Sequence, residues 1–130
     1  MIKESDSFIL RNFTESDYKE YCKWWGDDEP PAMEDLPSIG LVYDDMKAVG
    51  FLANTDCDFT ICVWWMANPD NKGKESYRAM KELFKAFKVM SELMKKSKIF
   101  CYTNNRGIIR LLESLNFTNH DGHLIAEVST

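Results

Sequence analysis

The segment from Phe59 to Thr103 constrains the fold more than any other part of the chain. It opens with Phe59 to Ala67 (FTICVWWMA), rich in β-branched and aromatic residues, which reads as a strand. Near-continuous apolarity makes it a central strand, expected to be covered on both faces. A tight loop follows, Asn68-Pro69-Asp70-Asn71-Lys72-Gly73. From about Lys74 to Lys96 the apolar residues then recur at helical spacing. Tyr77, Met80, Phe84, Phe87 and Met94 lie near one face, expected to pack on a sheet, with Leu83, Met90 and Leu93 widening it. Lys74, Arg78, Lys81, Lys85 and Lys88 mark the opposite side, and Lys95 and Lys96 suit the negative end of the helix dipole. Ile99 to Thr103 is a further strand. A strand, a long helix and a strand in that order imply a right-handed crossover, so these two strands should run parallel.

The remaining elements arrange themselves around that unit. Ser7 to Asn12 reads as a first strand, and Thr14 as the N-cap of a helix whose early Glu15 and Asp17 suit its positive end. Phe13 and Tyr18 can form a hydrophobic staple. Tyr18, Tyr21, Cys22 and Trp25 make one apolar stripe, and Gly26 ends the helix. Asp27 to Pro37 is an acidic, proline-rich loop with a short helical turn around Ala32 to Leu36. Ile39 to Tyr43 and Lys47 to Ala53, joined at Asp44-Asp45, complete an antiparallel meander with the aromatic strand. After the crossover, Asn105 opens a helix with Ile108, Leu111, Leu112 and Leu115 on its apolar face. Phe117 to Val128 should close the chain as a hairpin turning at Asp121-Gly122. The fold class is α/β (α+β), a mixed, mostly antiparallel sheet flanked by helices. At 130 residues one domain, 1–130, is expected. Such a chain buries about two-thirds of its unfolded surface without metals or disulfides.

Charge and cysteine content exclude several functions. A net charge of −5 argues against broad nucleic-acid binding through the phosphate backbone. The four cysteines show no CxxC spacing and no paired histidines, so neither a metal nor a redox motif is expected. Cys62 and Cys101 lie in apolar strands and read as small buried hydrophobes. No apolar run approaches the roughly 20 residues of a membrane span. Met1 to Ser7 is polar and charged, without a signal-peptide pattern, so a cytosolic location is expected.

The charge is uneven, and this points to a site. Asp27, Asp28, Glu29, Glu34 and Asp35 make the early loop acidic, whereas Lys72 to Lys98 is basic. Lys72, Gly73 and Lys74, with Arg78 one turn on, oppose the helix dipole at a helix start. Free backbone N–H groups and basic side chains there form a natural pyrophosphate site; the alternative is a solvated lysine face that begins early. Trp64 and Trp65 are adjacent and should face opposite sides of their strand, one filling the core beneath a helix and the other packing on the other sheet face, the favoured reading, or lining an acceptor groove.

Taken in order, the elements resemble the GNAT N-acyltransferase family over nearly the whole chain. The coenzyme loop of that family runs Gln or Arg, two residues, Gly, one residue, then Gly or Ala. Here the stretch is Asp70-Asn71-Lys72-Gly73-Lys74-Glu75, in which only Gly73 matches. The family's later pattern, an Asn followed by a helix ending in Gly-Phe, corresponds to Asn105 through Asn116-Phe117, where Asn116 can still adopt a left-handed turn. The resemblance implies a GNAT fold that binds acetyl-CoA through Met66, Asn71, Lys72, Gly73, Lys74 and Asn105, and acetylates an amine where the aromatic strand and the next core strand part. No catalytic residue is assigned. The place of the family's tyrosine acid holds Leu112, and the aromatic strand offers Thr60, Cys62, Trp64 and Met66 but no carboxylate. Tyr102 is the nearest substitute donor. Val63-Trp64-Trp65-Met66, the basic helix and Asn105 to Phe117 also resemble small GNAT-like proteins of tailed bacteriophages, including internal virion proteins. That likeness implies an alternative: a non-catalytic virion component or an inhibitor of a host protein, located in the host cytosol or the virion. Nucleic-acid modification by a phage enzyme is a third reading.

Overall fold

The computed structural model describes residues 9–128. In chain order the elements are β1 (Leu10–Asn12), α1 (Glu15–Lys23), β2 (Ile39–Tyr43), β3 (Ala48–Asn54), β4 (Phe59–Ala67), α2 (Glu75–Leu93), β5 (Lys98–Tyr102), α3 (Arg106–Ser114), β6 (Thr118–His120) and β7 (His123–Glu127), with a 3-10 turn at Met33–Asp35. The strands form one seven-stranded sheet in the order β1-β2-β3-β4-β5-β7-β6. Neighbours are antiparallel except β4 and β5, which run parallel from Phe59 beside Lys98 to Cys62 beside Cys101. The meander, the crossover and the closing hairpin therefore form as expected. Ser7 and Phe8, expected in the first strand, lie outside the described residues.

Two apolar layers flank the sheet. On one face α2 and α3 bury Met80, Leu83, Phe84, Phe87, Leu111 and Leu112 against Leu52, Cys62, Ile99, Cys101 and Leu124. Gly50 allows α2 to come this close, since a Cβ there would meet Leu83 Cδ2 at 2.9 Å and Phe87 Cε2 at 3.1 Å. The buried hydroxyls of Thr60 and Ser91 bond each other at 2.6 Å, and Ser91 Oγ donates to the Phe87 carbonyl. On the other face α1 packs Tyr21 and Trp24 against Val42, Val49 and Phe51. Asp17 anchors the start of α1: its Oδ2 accepts from the Thr14 amide at 2.9 Å, and both its oxygens take Arg11 at 2.8 Å. That ion pair and the capping amide hold the Asp17 carboxyl below the usual carboxylate range.

Several expectations need correction. Tyr77 is 48% exposed and Leu93 is 76% exposed. Tyr77 lies on the apolar stripe, but at the first turn of α2, where it faces a cleft instead of a strand. Leu93 lies off the stripe, whose last buried position is Ser91. Lys88 is not simply solvated: its Nζ donates to the Leu115 carbonyl at 2.8 Å and sits 5.7 Å from the centre of the Phe117 ring. In β4, Thr60 and Cys62 are buried, whereas Phe59, Ile61 and Val63 are only half-buried, because α1 covers little of that face. Trp65 packs on Phe84 as expected, but Trp64 is 39% exposed. A bulge in β4 is the reason. Trp64 has φ +50°, and the β3 register slips between Val49 and Phe51, which re-aims the indole outward.

Candidate functional site

The parallel pairing of β4 with β5 stops at Cys62 and Cys101. Beyond that rung β4 continues to Ala67, paired only with β3, so the sheet forks. The Tyr21 hydroxyl, on α1, donates to the Trp64 carbonyl at 2.8 Å and pins the bulge beside the fork. Two clefts open from it. One, of about 380 Å³, lies toward the helices and is lined by Met66, Tyr77, Met80, Asn105 and Ile108. The other, of about 510 Å³, lies toward α1 and is lined by Trp25, Asp28, Trp64 and Tyr102. Trp65 and Met66 line both, so the two clefts share a wall at the fork.

Of the residues singled out in the sequence, the fork brings Met66 and Asn105 into one cleft. The Asn105 side chain caps α3, accepting from the Ile108 amide at 3.0 Å. Asn71 to Lys74 are not part of its lining, to which α2 contributes Ser76, Tyr77 and Met80. Asn71 Nδ2 donates to the Lys47 carbonyl at 2.9 Å and to Ser76 Oγ at 3.0 Å, which ties the loop down. Lys72, Gly73 and Lys74 are exposed at the mouth of α2. Gly73 has φ +59°, a conformation that suits glycine, and nothing lies within 4 Å of where its Cβ would be. The amides of Gly73, Lys74, Ser76 and Tyr77 have no acceptor among the described residues, whereas the Lys72 amide has one. It donates to Glu75 Oε1 at 2.7 Å, while Glu75 Oε2 takes Lys47 Nζ at 2.9 Å. The Lys72 amide first, and Lys47 second, hold the Glu75 carboxyl below its ordinary range. The helix start thus presents unpaired amides, and the Lys72 amide just before it already holds an anion from the chain itself.

Catalytic groups are sparse. Leu112, which the resemblance aligns with a tyrosine acid, is fully buried in the core. Tyr102 is 62% exposed in the α1-side cleft, its ring 4.8 Å from that of His123. Burial pushes the Cys62 thiol well up and the Cys101 thiol up to about 12, so neither is a nucleophile near neutral pH. The buried indole N–H of Trp25 has no partner among the described residues. Sequence reasoning missed Tyr77 and Trp24 as parts of the site, whereas Asp28 belongs to the acidic stretch from Asp27 to Asp35 that was expected to draw a cationic amine. Only the fork, a long-range feature, makes them neighbours.

No family model and no curated protein matches this sequence. Solved structures do match. The ribosomal-protein-S18-alanine N-acetyltransferase from Escherichia coli superposes with a TM-score of 0.65 at 12% identity, covering 93% of this chain and 94% of that one. N-acetylglutamate synthase from Neisseria gonorrhoeae, complexed with coenzyme A and L-arginine, gives 0.69 at 11% identity over 93% of this chain, which spans 33% of that protein. A GNAT family N-acetyltransferase from Escherichia coli in complex with CoA gives 0.61 at 8% identity, covering 92% and 81% of the two chains. At such identities the shared property is the fold, and the fold is that of the GNAT acetyltransferases. Among the described residues no helix is long and apolar enough to cross a membrane.

Proposed function

We propose that this chain, as one domain, is an N-acyltransferase that moves an acetyl group from acetyl-CoA to an amine at the fork. The observation that carries this reading is the end of β4–β5 pairing at Cys62 and Cys101, with Trp65 and Met66 shared between a cleft on each side. Donor and acceptor can then approach one point from opposite directions, and positioning of that kind supplies much of a transfer rate. Acetyl-CoA, when bound, supplies an activated acyl group that a neutral amine can accept, with release of the thiol.

The residues present fit that group in part. Met66, Met80 and Ile108 give the helix-side cleft an apolar lining suited to an apolar arm. The unpaired amides at the start of α2, with Lys72 and Lys74, suit a pyrophosphate. Glu75 opposes it, and must release the Lys72 amide for all of that site to be available. Asp28 draws a cationic acceptor to the other cleft. With Leu112 in the core, no described residue stands out as a dedicated proton donor, and Tyr102 offers an exposed hydroxyl in the α1-side cleft. Calorimetric titration with acetyl-CoA tests the reading. Binding is expected, and Lys72→Glu with Lys74→Glu should abolish most of it in a folded protein. Unchanged affinity in that variant refutes the assignment of the pyrophosphate site.

A second reading keeps the fold without the chemistry, as in a phage virion component or an inhibitor of a host protein. Two observations favour it: Leu112 is buried where an acid would stand, and Glu75 occupies the Lys72 amide. It predicts no heat with acetyl-CoA and no acetylation of any amine.

A further inference from the structure

We infer that the α1-side cleft binds a linear aliphatic polyamine, with a protonated nitrogen at Asp28 and the chain laid along the indoles toward Met66. As an acceptor assignment this rests on the acetyl-transfer reading; as a binding site it stands alone. The cleft is of ligand size, at about 510 Å³. Its charge pattern is one-sided. Among the described residues Asp28 is the only carboxylate lining it, and no lysine or arginine lines it. The nearest basic residue on α1, Lys23, already faces Glu20 at 3.7 Å. Glu20 also accepts from Trp24 Nε1 at 3.1 Å, which draws a second carboxylate to this end of α1. Asp27 and Glu29 are exposed on either side of Asp28. On the opposite wall, Tyr102 faces His123, whose element contributes no residue to the lining.

Aromatic walls complete the pattern. Trp64 leaves an indole 39% exposed on a bulged strand, where packing alone would have buried it. Trp25 and Tyr102 line the same cleft. Indole and phenol faces attract alkylammonium groups and cover methylene chains. Different parts of the lining ask for different things. At Met66 and Trp65 the surroundings are apolar, which suits an uncharged amine, the form that can attack a carbonyl. At Asp28 they are anionic, which suits an ammonium. A molecule with at least two amines joined by methylenes satisfies both, whereas a monoamine satisfies one. An amino acid would bring a carboxylate toward Asp28 with no cation to hold it.

Calorimetric titration of the whole chain with spermidine, a linear triamine, tests this. Saturable binding is expected, weakened about tenfold by Asp28→Asn and at least fivefold by Trp64→Ala, with circular dichroism confirming that both variants are folded. Glu34→Gln with Asp35→Asn alters acidic residues outside the cleft and should leave affinity within twofold. No saturable binding overturns the inference, as does an Asp28→Asn affinity within twofold of the parent, or an equal loss in the Glu34/Asp35 variant. Saturation by a lysine-rich peptide but not by spermidine also overturns it. Spermidine binding without acetylation keeps this site and removes the enzymatic reading; acetylation of an amino acid with no spermidine binding does the reverse.

Discussion

Replacing Tyr21 with Phe isolates the contact that pins the bulge. The ring is fully buried and packs edge-on against Phe13 at 5.8 Å and Phe51 at 5.6 Å, contacts that Phe retains. What disappears is one hydroxyl, together with its 2.8 Å hydrogen bond to the Trp64 carbonyl. A net hydrogen bond is worth about 1 kcal/mol, and because this one is part-buried the acceptor left without a partner adds a fraction of the roughly 1–3 kcal/mol penalty of a fully buried group. Trp64 holds φ +50°, a conformation a tryptophan adopts only when its surroundings enforce it. We expect a loss of about 2 kcal/mol. Unfolding entropy of about 2.1 cal/mol/K per residue converts this to a fall in Tm of about 7 °C. Thermal and urea unfolding followed by circular dichroism measures it, with the difference in tryptophan emission between the parent and a Trp64→Phe variant reporting on Trp64. A loss below about 0.5 kcal/mol with unchanged emission would refute the claim that this hydroxyl holds the bulge. Alkaline titration gives a second check. Burial pushes the Tyr21 phenol up to about 12, so its contribution is complete below an ordinary tyrosine pKa of about 10 and is lost as pH rises through about 12. Tyr21→Phe should remove that part of the alkaline instability.

Four further outcomes follow from the packing and the charges. Phe84→Ala, at a fully buried position under α2, should cost about 3–5 kcal/mol in denaturant unfolding; a cost below 1 kcal/mol would mean that the helix face is misassigned. Lys95→Gly should stabilise by about 1 kcal/mol, because Lys95 sits at φ +61° in the α2 C-terminal turn, where the Lys96 amide reaches the Ser91 carbonyl. The Asp17 carboxyl is depressed by Arg11, so its stabilisation is present above the ordinary value of 3.8 and is lost as pH falls through its lower folded pKa. Asp17→Asn should therefore lower stability at pH 6 and much less at pH 2, and a pH-independent gap would contradict the ion-pair account. Glu75→Ala should tighten acetyl-CoA binding severalfold by freeing the Lys72 amide, and weaker binding would show that Glu75 orders the loop instead.

The sheet was legible because its signals are local and mutually consistent. Phe59 to Ala67 had the composition of a strand and forms one over that whole span. Asp121-Gly122 carried the hairpin preference, and both residues take positive φ. Asn116 was expected to turn left-handed and does so, at φ +70°. The site was less legible because its geometry departs from regular period. Two adjacent tryptophans were read as alternating across a regular strand, and the bulge broke that alternation. Tyr77 fits the buried stripe, and only the separation of β4 from β5 leaves it uncovered. Glu75 turns back to bond the Lys72 amide and also takes Lys47, which stands just before β3, a long-range contact that no local pattern announces.

The fork also orders events in folding. The meander β2–β3–β4 joins neighbours in sequence, whereas the β4–β5 rungs and the Ser97 amide bond to Asp58 close a separation of 39 residues. Loop-closure entropy places that pairing late, after α2 has formed across it. Both clefts are defined by strands that meet and then part, so neither exists in the unfolded chain or in a partly folded one containing only the meander. Any ligand of the fork therefore binds the native state alone. By mass action its presence raises the unfolding free energy by RT ln(1 + [L]/Kd), which makes thermal stability itself a screen for what this protein recognises.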